Sequence, residues 1–251
     1  MRRVKLLLEY DGTDFAGFQL QAQGERTVQG VLEEALARIP GARPRVTAAG
    51  RTDSGVHALA MPVHYDTEDT VPVAKVPQAL NALLPPDVRV LEAGEVPPDW
   101  HARHSARWRR YLYRVLNRSQ PTALDRHRVW WVPQPFDFPK IAAAARLLEG
   151  EHDFGAFANR EKRATVRRLY QAHVEAVGGE LHLHFVGSGF VRGQVRAMVG
   201  TLVEVGLGRR PPEDVARLLE DPRRSEGGAT APSQGLYFVA AGYTPWEGGG
   251  G

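Results

Sequence analysis

The order of apolar and polar residues along the chain predicts strands and helices in both of its halves. Apolar residues alternate with polar ones, or run together, in stretches typical of strands. These stretches are 4–10, 44–48, 61–65, 88–93, 110–116, 181–185 and 235–240. Elsewhere apolar residues recur every three or four positions, as on one face of an amphipathic helix. The predicted helices cover 28–39, 76–84, 140–149, 190–206 and 215–219.

Capping and turn residues indicate where several elements end. Thr27 is a predicted N-cap, and Pro40-Gly41 is predicted to end the helix that follows it. Pro62 lacks a backbone N–H, so we expect it at a sheet edge or near the start of a strand.

A linker is predicted near 97–107, beginning at a proline pair. Elements of both kinds lie on each side of it, which predicts an α+β fold. The predicted organisation is an N-terminal half, 1–103, a C-terminal half, 104–245, and a glycine-rich tail, 246–251.

Composition is that of an ordinary globular protein. The chain has 251 residues, of which 43% are hydrophobic and 24% are charged. No apolar run reaches membrane-spanning length, and the first ten residues are too few and too charged for a signal peptide. Cysteine is absent, which excludes disulfides, thiol catalysis and cysteine metal sites. These features predict a cytoplasmic protein.

Basic residues are concentrated in two segments, although the formal net charge is only +3. Most are arginine, whose planar guanidinium suits phosphate contacts. One segment holds Arg103, Arg107, Arg109, Arg110, Arg114 and Arg118, and the other holds Arg160, Lys162, Arg163, Arg167 and Arg168. Clustered basic charge beside aromatic residues predicts nucleic-acid binding, and a solvated surface is the alternative.

The segment 49–58 contains the strongest candidate for catalysis. It reads Ala-Gly-Arg-Thr-Asp-Ser-Gly-Val-His-Ala, so that Asp53 lies in a glycine-flanked turn two residues after Arg51. Such a turn leaves the carboxylate facing a ligand, and the neighbouring guanidinium would keep it ionised. A carboxylate so placed can attack an electrophilic carbon or take a proton. The alternative is a turn aspartate that caps nearby backbone amides.

Tyr111 and Tyr113 lie on one face of the strand predicted at 110–116. Arg109, Arg110 and Arg114 flank them, so the tyrosines could stack a nucleobase while the arginines grip phosphate. The alternative is core packing, because aromatic residues two positions apart suit a buried sheet face.

Metal and cofactor sites are not predicted. The pairs His101-x-x-His104 and His182-x-His184 lack a nearby carboxylate motif of the metalloprotease kind. No glycine-rich nucleotide-binding motif follows a strand, so no nucleotide cofactor is expected.

Seven motifs, in order along the chain, resemble those of the tRNA pseudouridine synthase A family. They are Tyr10-Asp11-Gly12-Thr13-Asp14-Phe15-Ala16-Gly17-Phe18-Gln19, Thr27-Val28-Gln29-Gly30, Gly50-Arg51-Thr52-Asp53-Ser54-Gly55-Val56-His57, Asn81-Ala82-Leu83-Leu84-Pro85, His101-Ala102-Arg103, Arg110-Tyr111-Leu112-Tyr113 and Gly235-Leu236-Tyr237-Phe238. Together they span nearly the whole chain, and the block around Asp53 is the specific one.

The resemblance implies a fold, a substrate and an assembly. The fold would be two α/β halves resembling RNA-recognition modules, with mixed, largely antiparallel sheets joined around a central cleft. The protein would be a homodimer with tRNA lying across both subunits. It would convert uridine to pseudouridine at neighbouring sites on the 3′ side of the anticodon arm (tRNA positions 38, 39 and 40), without a cofactor.

The resemblance also implies roles for individual residues. Asp53 matches the catalytic aspartate, and Arg51 matches the arginine of the same loop. Tyr111 matches the tyrosine against the target base, and Arg196 matches an arginine of a later helix that borders the site. The candidates for RNA contact are Arg103, Arg109, Arg110, Arg163 and Arg168.

Several alternatives stay open from the sequence. Asp53 could attack C1′ of the sugar, take a sugar proton, or attack C6 of uracil. The competing protein classes are a non-catalytic RNA-binding module, a hydrolase of the glycosidic bond and a metal nuclease. The last needs clustered carboxylates, which the sequence around Asp53 lacks.

Overall fold

The computed structural model describes residues 1–42, 45–159 and 164–248. They form two units, each with its own sheet strands and helices. The first unit comprises 1–107 and 237–244, and the second comprises 108–236 together with the residues that follow 244. The last strand of the chain therefore returns almost entirely to the first unit.

Four strands in the order β4-β1-β3-β10 form the sheet region of the first unit. Strand β3 is antiparallel to β1 and parallel to β10, and the short β2 pairs with β3. The elements are β1 (Arg2–Tyr10), α1 (Val28–Ala37), β2 (Thr47–Ala48), β3 (His57–Thr67), α2 (Val76–Asn81), β4 (Val88–Val96) and β10 (Leu236–Gly242).

Helix α1 begins where its sequence predicts. Thr27 has an extended backbone, and its hydroxyl accepts a hydrogen bond from the Gly30 N–H at 3.1 Å. This bond satisfies one of the N–H groups that a helix start leaves without an intrahelical partner. The apolar stripe of the helix, which includes Leu32 and Leu36, is buried. The helix ends at Ala37, two residues before the predicted end.

The expectation for Pro62 is wrong, because this proline lies inside the eleven-residue strand β3. One side of β3 pairs with β1 along nearly its whole length. On the other side, pairing with β10 involves residues 57 and 58, and pairing with β2 involves residues 63 and 64. The Pro62 carbonyl accepts from Ala49 N–H at 2.8 Å on this second side. The side of β3 on which Pro62 lacks an N–H is therefore the side between the two short ladders. The pairing with β10 and with β2 does not use an N–H at this position.

The second unit has strands in the order β5-β9-β8-β7, all antiparallel neighbours, with the short β6 parallel to β5. Its elements are β5 (Trp108–Leu116), β6 (Trp130–Trp131), α3 (Phe138–Arg146), β7 (Gly150–Asp153), β8 (Val166–Val177), β9 (Glu180–Gly187), α4 (Gln194–Gly206) and α5 (Asp214–Glu220). The sequence pattern did not predict β6, β7 or β8.

The two faces of the sheet region in the second unit differ in character. Leu181, Leu183 and Phe185 of β9 point to the face that is buried in the core, where α3 packs on β8 and α4. The alternate residues His182 and His184 point to the opposite face, because successive side chains of a strand point to opposite sides.

Helix α4 begins at Gln194, four residues later than predicted. Gly193, its N-cap, has a φ of 76°, a left-handed conformation that glycine adopts without strain. The Gln194 N–H donates to the Val191 carbonyl at 3.1 Å, so residues 191–194 form a turn that leads into the helix.

The α+β class with mixed, largely antiparallel sheets is confirmed by these pairings. The joining of the two halves around a central cleft stays a prediction. None of the helices in the described part of the chain has the length and apolar character needed to cross a lipid bilayer.

Candidate active site

Asp53 lies in the loop that connects β2 to β3. Its carbonyl accepts a hydrogen bond from the Val56 N–H at 3.2 Å, which closes a turn in which Gly55 has a φ of 77°. The Asp53 side chain is half-buried, Thr52 before it is buried, and Arg51 is exposed. The loop therefore places the carboxylate near the protein surface on a backbone anchored by a buried residue.

The segment from Phe15 to Phe18 holds this loop from one side. The Phe18 N–H donates to the Thr52 carbonyl at 3.0 Å. The Gly55 N–H and the Ser54 hydroxyl both donate to the Phe15 carbonyl, at 3.3 and 3.1 Å. Three hydrogen bonds thus fix the backbone on both sides of Asp53.

A buried hydroxyl pair adds a fourth connection. The Tyr10 hydroxyl lies 2.8 Å from the Thr52 hydroxyl, and the two residues are 3% and 8% exposed. Tyr10 is the last residue of β1, so this pair ties the loop to the central sheet of the first unit.

Two glycines permit the close approach of the segment to the loop. A Cβ added at Gly12 would lie 2.0 Å from the Val56 carbonyl oxygen. A Cβ added at Gly17, whose φ is 118°, would lie 2.9 Å from the Thr52 carbonyl oxygen. Only glycine fits such contacts between two backbones without displacement.

His57, the first residue of β3, connects the segment that holds the Asp53 loop to strand β10. Its Nδ1 accepts a hydrogen bond from the Gly12 N–H at 3.0 Å. Its ring stacks on Tyr237 of β10, with 4.8 Å between centroids. His57 is 3% exposed, which makes it a buried supporting residue.

The two candidate tyrosines of the second unit have different environments. Tyr113 is fully buried, and its hydroxyl donates to the Pro232 carbonyl at 2.7 Å. Burial raises the pKa of this hydroxyl far above its ordinary value. Tyr111 is half-buried and meets Phe190 edge-on, with 4.9 Å between ring centroids. The packing alternative therefore describes Tyr113, whereas Tyr111 retains an accessible part.

Arg196 is held in the first turn of α4 by the chain that precedes β10. Its Nε donates to the Ala231 carbonyl at 2.7 Å, and its own carbonyl accepts from the Ala231 N–H at 3.0 Å. The side chain is half-buried, and its positive charge partly offsets the rise in the pKa of Tyr113 that burial causes.

The candidate RNA contacts occupy different places. Arg109 shares the strand face of Tyr111 and donates to the Ser188 carbonyl at 3.0 Å. Arg110 points to the opposite face, where its Nη2 lies 3.4 Å from His184 Nδ1. Arg168 is exposed on β8, and Arg103 is exposed in the first unit. Arg163 lies outside the described residues.

A shallow cavity of about 260 Å³ lies in the second unit. It is lined by residues 130–134 and by the later turns of α4, with residues 209, 229 and 230. None of the candidate site residues in the described part of the chain lines it, so we do not assign this cavity to the candidate active site.

Comparison with known proteins identifies the family. A family model described as tRNA pseudouridine synthase matches residues 7–105 and 144–244. The chain belongs to the tRNA pseudouridine synthase family. A tRNA pseudouridine synthase A from Thermus thermophilus is 55% identical over 247 residues, covering 97% of each chain. One from a Caulobacter species is 46% identical over 246 residues, covering 97% of this chain and 98% of the other.

Among solved structures, a chain of a Cbf5-Nop10-Gar1 complex matches 94% of this chain and 49% of its own length. The identity is 11% and the TM-score is 0.38, so this likeness adds nothing to the assignment. Membership of the tRNA pseudouridine synthase family makes the chain an isomerase that acts on uridine in tRNA.

Within this tRNA pseudouridine synthase, reasoning from residue types missed the residues that support the Asp53 loop. Tyr10, Gly12 and Thr52 belong to the motifs of the family, but the sequence alone assigns no role to them. The available signal was the glycine-containing Tyr10–Phe18 segment after a strand, since conformationally special glycines often mark a close backbone approach.

Proposed function

We propose that this chain converts uridines on the 3′ side of the tRNA anticodon arm to pseudouridine, with Asp53 as the catalytic carboxylate. The observation that carries the proposal is the fixation of the Asp53 loop by the hydrogen bonds to Phe15, Phe18 and Tyr10. Catalysis gains from groups already held in place before the substrate binds. A turn aspartate without a catalytic role would need no such support.

The chemistry suits a carboxylate. The reaction breaks the bond between C1′ and N1 of uridine and joins C1′ to C5 of the same base, without a net change in redox state. Breaking a glycosidic bond builds positive charge on the sugar, which a nearby carboxylate stabilises. Asp53 acts by attack at C1′, by removal of a sugar proton or by attack at C6, and these three routes remain alternatives within the proposal.

The other candidate residues take supporting roles in this proposal. Arg51 accompanies Asp53 in the same loop, and Tyr111 holds the target base and accepts the proton that leaves C5. Arg196 borders the site. The partial accessibility of Tyr111 and the fixed position of Arg196 support these roles.

The target uridine has to leave its stack before it can react, which costs a few kcal/mol. Contacts between arginines and the RNA backbone offset this cost. We assign these contacts to the arginines named from the sequence, Arg103, Arg109, Arg110, Arg163 and Arg168.

The experiment that tests the proposal maps modified uridines at single-nucleotide resolution. Unmodified tRNA is incubated with the protein and then treated with a carbodiimide that labels pseudouridine. We expect label at one or more of positions 38, 39 and 40, and none with Asp53→Asn. Release of free uracil would instead indicate a glycosidic hydrolase. Bound but unmodified RNA would indicate a non-catalytic binding module.

The proposal also includes a homodimer that works in the cytoplasm, where tRNA is modified. Both statements rest on the family resemblance. Sedimentation of the protein at micromolar concentration tests the first, because a dimer has twice the mass of the 27.7 kDa chain.

A further inference from the structure

A group of histidine and carboxylate side chains lies on strands β8 and β9 of the second unit, on the face opposite to the buried residues of β9. Strands β8 and β9 form a hairpin joined at Gly178-Gly179, in which both glycines have positive φ. Glu175 of β8 is directly opposite His182 of β9, and His184 follows two residues later on the same face. We call Glu175, His182 and His184 the hairpin triad.

The ligand atoms of the hairpin triad converge. One carboxylate oxygen of Glu175 and a ring nitrogen of each histidine all lie within 4.8 Å of one another. His184 Nε2 is 2.9 Å from Glu175 Oε1. His182 Nε2 is 3.0 Å from Oε2 of a second carboxylate, Glu180. The Nε2 atom of each imidazole therefore already faces a carboxylate oxygen.

We propose that Glu175, His182 and His184 bind a divalent transition-metal ion of the zinc type. Two imidazoles and a carboxylate form a donor set that suits Zn²⁺, Co²⁺ or Ni²⁺ and not the harder Mg²⁺. The ion takes the place of the contacts that each Nε2 now makes with a carboxylate oxygen. Glu180 then serves as a fourth ligand or stays beside His182.

The hairpin triad is accessible from the side of its carboxylate. The side chains of His182 and His184 are 19% and 12% exposed, whereas that of Glu175 is 45% exposed and open to an entering ion. The exposed carboxylate therefore gives an ion a path to the two less exposed imidazole rings.

Two arginines near the triad should weaken the binding of a metal ion. Arg114 forms a bidentate pair with Glu180, with both N–O distances at 2.8 Å, which keeps that carboxylate ionised and oriented. Arg110 Nη2 lies 3.4 Å from His184 Nδ1. Metal on Nε2 leaves a proton on Nδ1, so Arg110 has to turn away when the ion binds. We therefore expect binding in the micromolar range rather than the affinity of a structural zinc site.

The sequence pattern gave no reason to expect this site. The pair His182-x-His184 has no carboxylate motif close to it in the sequence. Glu175 is seven residues upstream, and the hairpin turn and the register of β8 on β9 bring it opposite His182. The third ligand is therefore set by strand pairing and not by spacing in a motif.

The test is a titration of the full chain, without affinity-tag histidines and after chelator treatment, with Co²⁺ and Zn²⁺. Because the chain has no cysteine, Co²⁺ absorption bands report only nitrogen and oxygen ligands. We expect one equivalent to bind, with Mg²⁺ failing to compete. His182→Ala, His184→Ala and Glu175→Gln should each weaken binding by about 100-fold or more, at least as much as loss of a supporting residue does.

His173→Ala is the matched control. This exposed histidine lies on the same face of β8, opposite His184, but outside the triad. Its variant should bind Co²⁺ as the unaltered chain does. Absence of saturable binding by the unaltered chain would overturn the proposal. So would unchanged binding in His182→Ala and His184→Ala, or a loss in His173→Ala equal to theirs.

Two further measurements keep a misfolded variant from confusing the result. Circular dichroism without metal should be the same for all variants, and Glu175→Gln changes only an exposed side chain. One equivalent of Zn²⁺ should raise the melting temperature of the unaltered chain and of His173→Ala, because an ion that binds only the folded state stabilises it. It should leave that of Glu175→Gln unchanged.

Discussion

Thr52 connects the Asp53 loop to strand β1. It is buried, its carbonyl accepts from the Phe18 N–H, and its hydroxyl meets the hydroxyl of Tyr10. The backbone of Asp53 follows directly, so a shift at Thr52 moves the carboxylate. Thr52 is thus a positioning residue in the proposed reaction.

Replacing the hydroxyl of Thr52 tests this role. Thr52→Val keeps the shape but removes the bond to Tyr10, which should lower the free energy of unfolding by about 1 kcal/mol. Turnover should fall more than RNA affinity, because the carboxylate loses its fixed position. Thr52→Ser keeps the hydroxyl and should restore most of the activity. Equal activity of the valine and serine variants, measured under single-turnover conditions, would remove Thr52 from the account.

A methyl group at Gly12 should displace the same loop from the other side. The added Cβ of Gly12→Ala would lie 2.0 Å from the Val56 carbonyl oxygen, and overpacking of this kind typically costs about 2 kcal/mol. Gly94→Ala is the control, because nothing lies within 4 Å of its Cβ. Thermal melting should show a loss for the first variant and a change within about 0.5 kcal/mol for the second. Equal melting of the two would contradict the described contact.

Among the helices and strands, those with an uninterrupted hydrophobic period could be predicted. Helix α1 has both a cap and an apolar stripe, and β9 alternates cleanly. Strand β8 could not be predicted in this way because its register shifts between Leu169 and Gln171. This bulge puts Leu169, Ala172 and Val174 on the buried side, so the two-residue period is broken.

The histidine of β3 that contacts the segment after β4 should make stability depend on pH. His64 is 6% exposed, and its Nδ1 accepts from the Ala102 N–H at 3.2 Å. Burial first, then the charge of Arg3, lowers its pKa from 6.5 to about 4. Below pH 6.5 the unfolded chain therefore binds a proton that the folded chain does not take up until about pH 4. This contribution to stability is complete above pH 6.5 and is lost as the pH falls.

Urea unfolding between pH 5 and 7 measures this effect. The group should contribute a slope of up to about 1.4 kcal/mol per pH unit on the acid side of 6.5. His64→Asn keeps an acceptor near Nδ1 but cannot titrate, so its slope should be smaller. His127→Asn, at an exposed position of the second unit, should keep the slope of the unaltered chain. Identical slopes for the two variants would show that His64 is not responsible.

Across the whole molecule, many arginines are already paired with carboxylates of the same chain. Arg3 pairs with Asp66, Arg26 with Asp87, and Arg114 with Glu180. The net charge of +3 therefore says little about which basic groups meet RNA. Exposed arginines such as Arg103 and Arg168 are better placed to do so.

Contacts between such arginines and phosphate should make RNA binding depend on salt. Binding releases counterions, so the logarithm of the association constant falls linearly with the logarithm of the salt concentration. Between 50 and 200 mM salt we expect the affinity for an anticodon-arm RNA to fall by at least about tenfold. Arg168→Gln should reduce the slope. An affinity that does not change with salt would contradict the proposed arginine contacts.

The candidate site could be predicted only in part for a physical reason. The turn around Asp53 is local, so it can be read from adjacent residues. Its support from Tyr10, Gly12 and Phe18 joins residues about forty positions apart. The return of residues 237–244 to the first unit, which brings Tyr237 against His57, spans still more of the chain. Hydrophobic periodicity carries no information about such distant pairs.

The most direct measurement of the central claim is tritium release from tRNA that carries 5-tritiated uridine. Asp53→Asn keeps the shape of the side chain and removes its charge, so release should fall by at least about 100-fold. Asp99→Asn makes the same chemical change at an exposed position of the first unit and should release tritium at the normal rate. Release by Asp53→Asn within about twofold of the unaltered chain would contradict the assignment of Asp53 as the catalytic carboxylate.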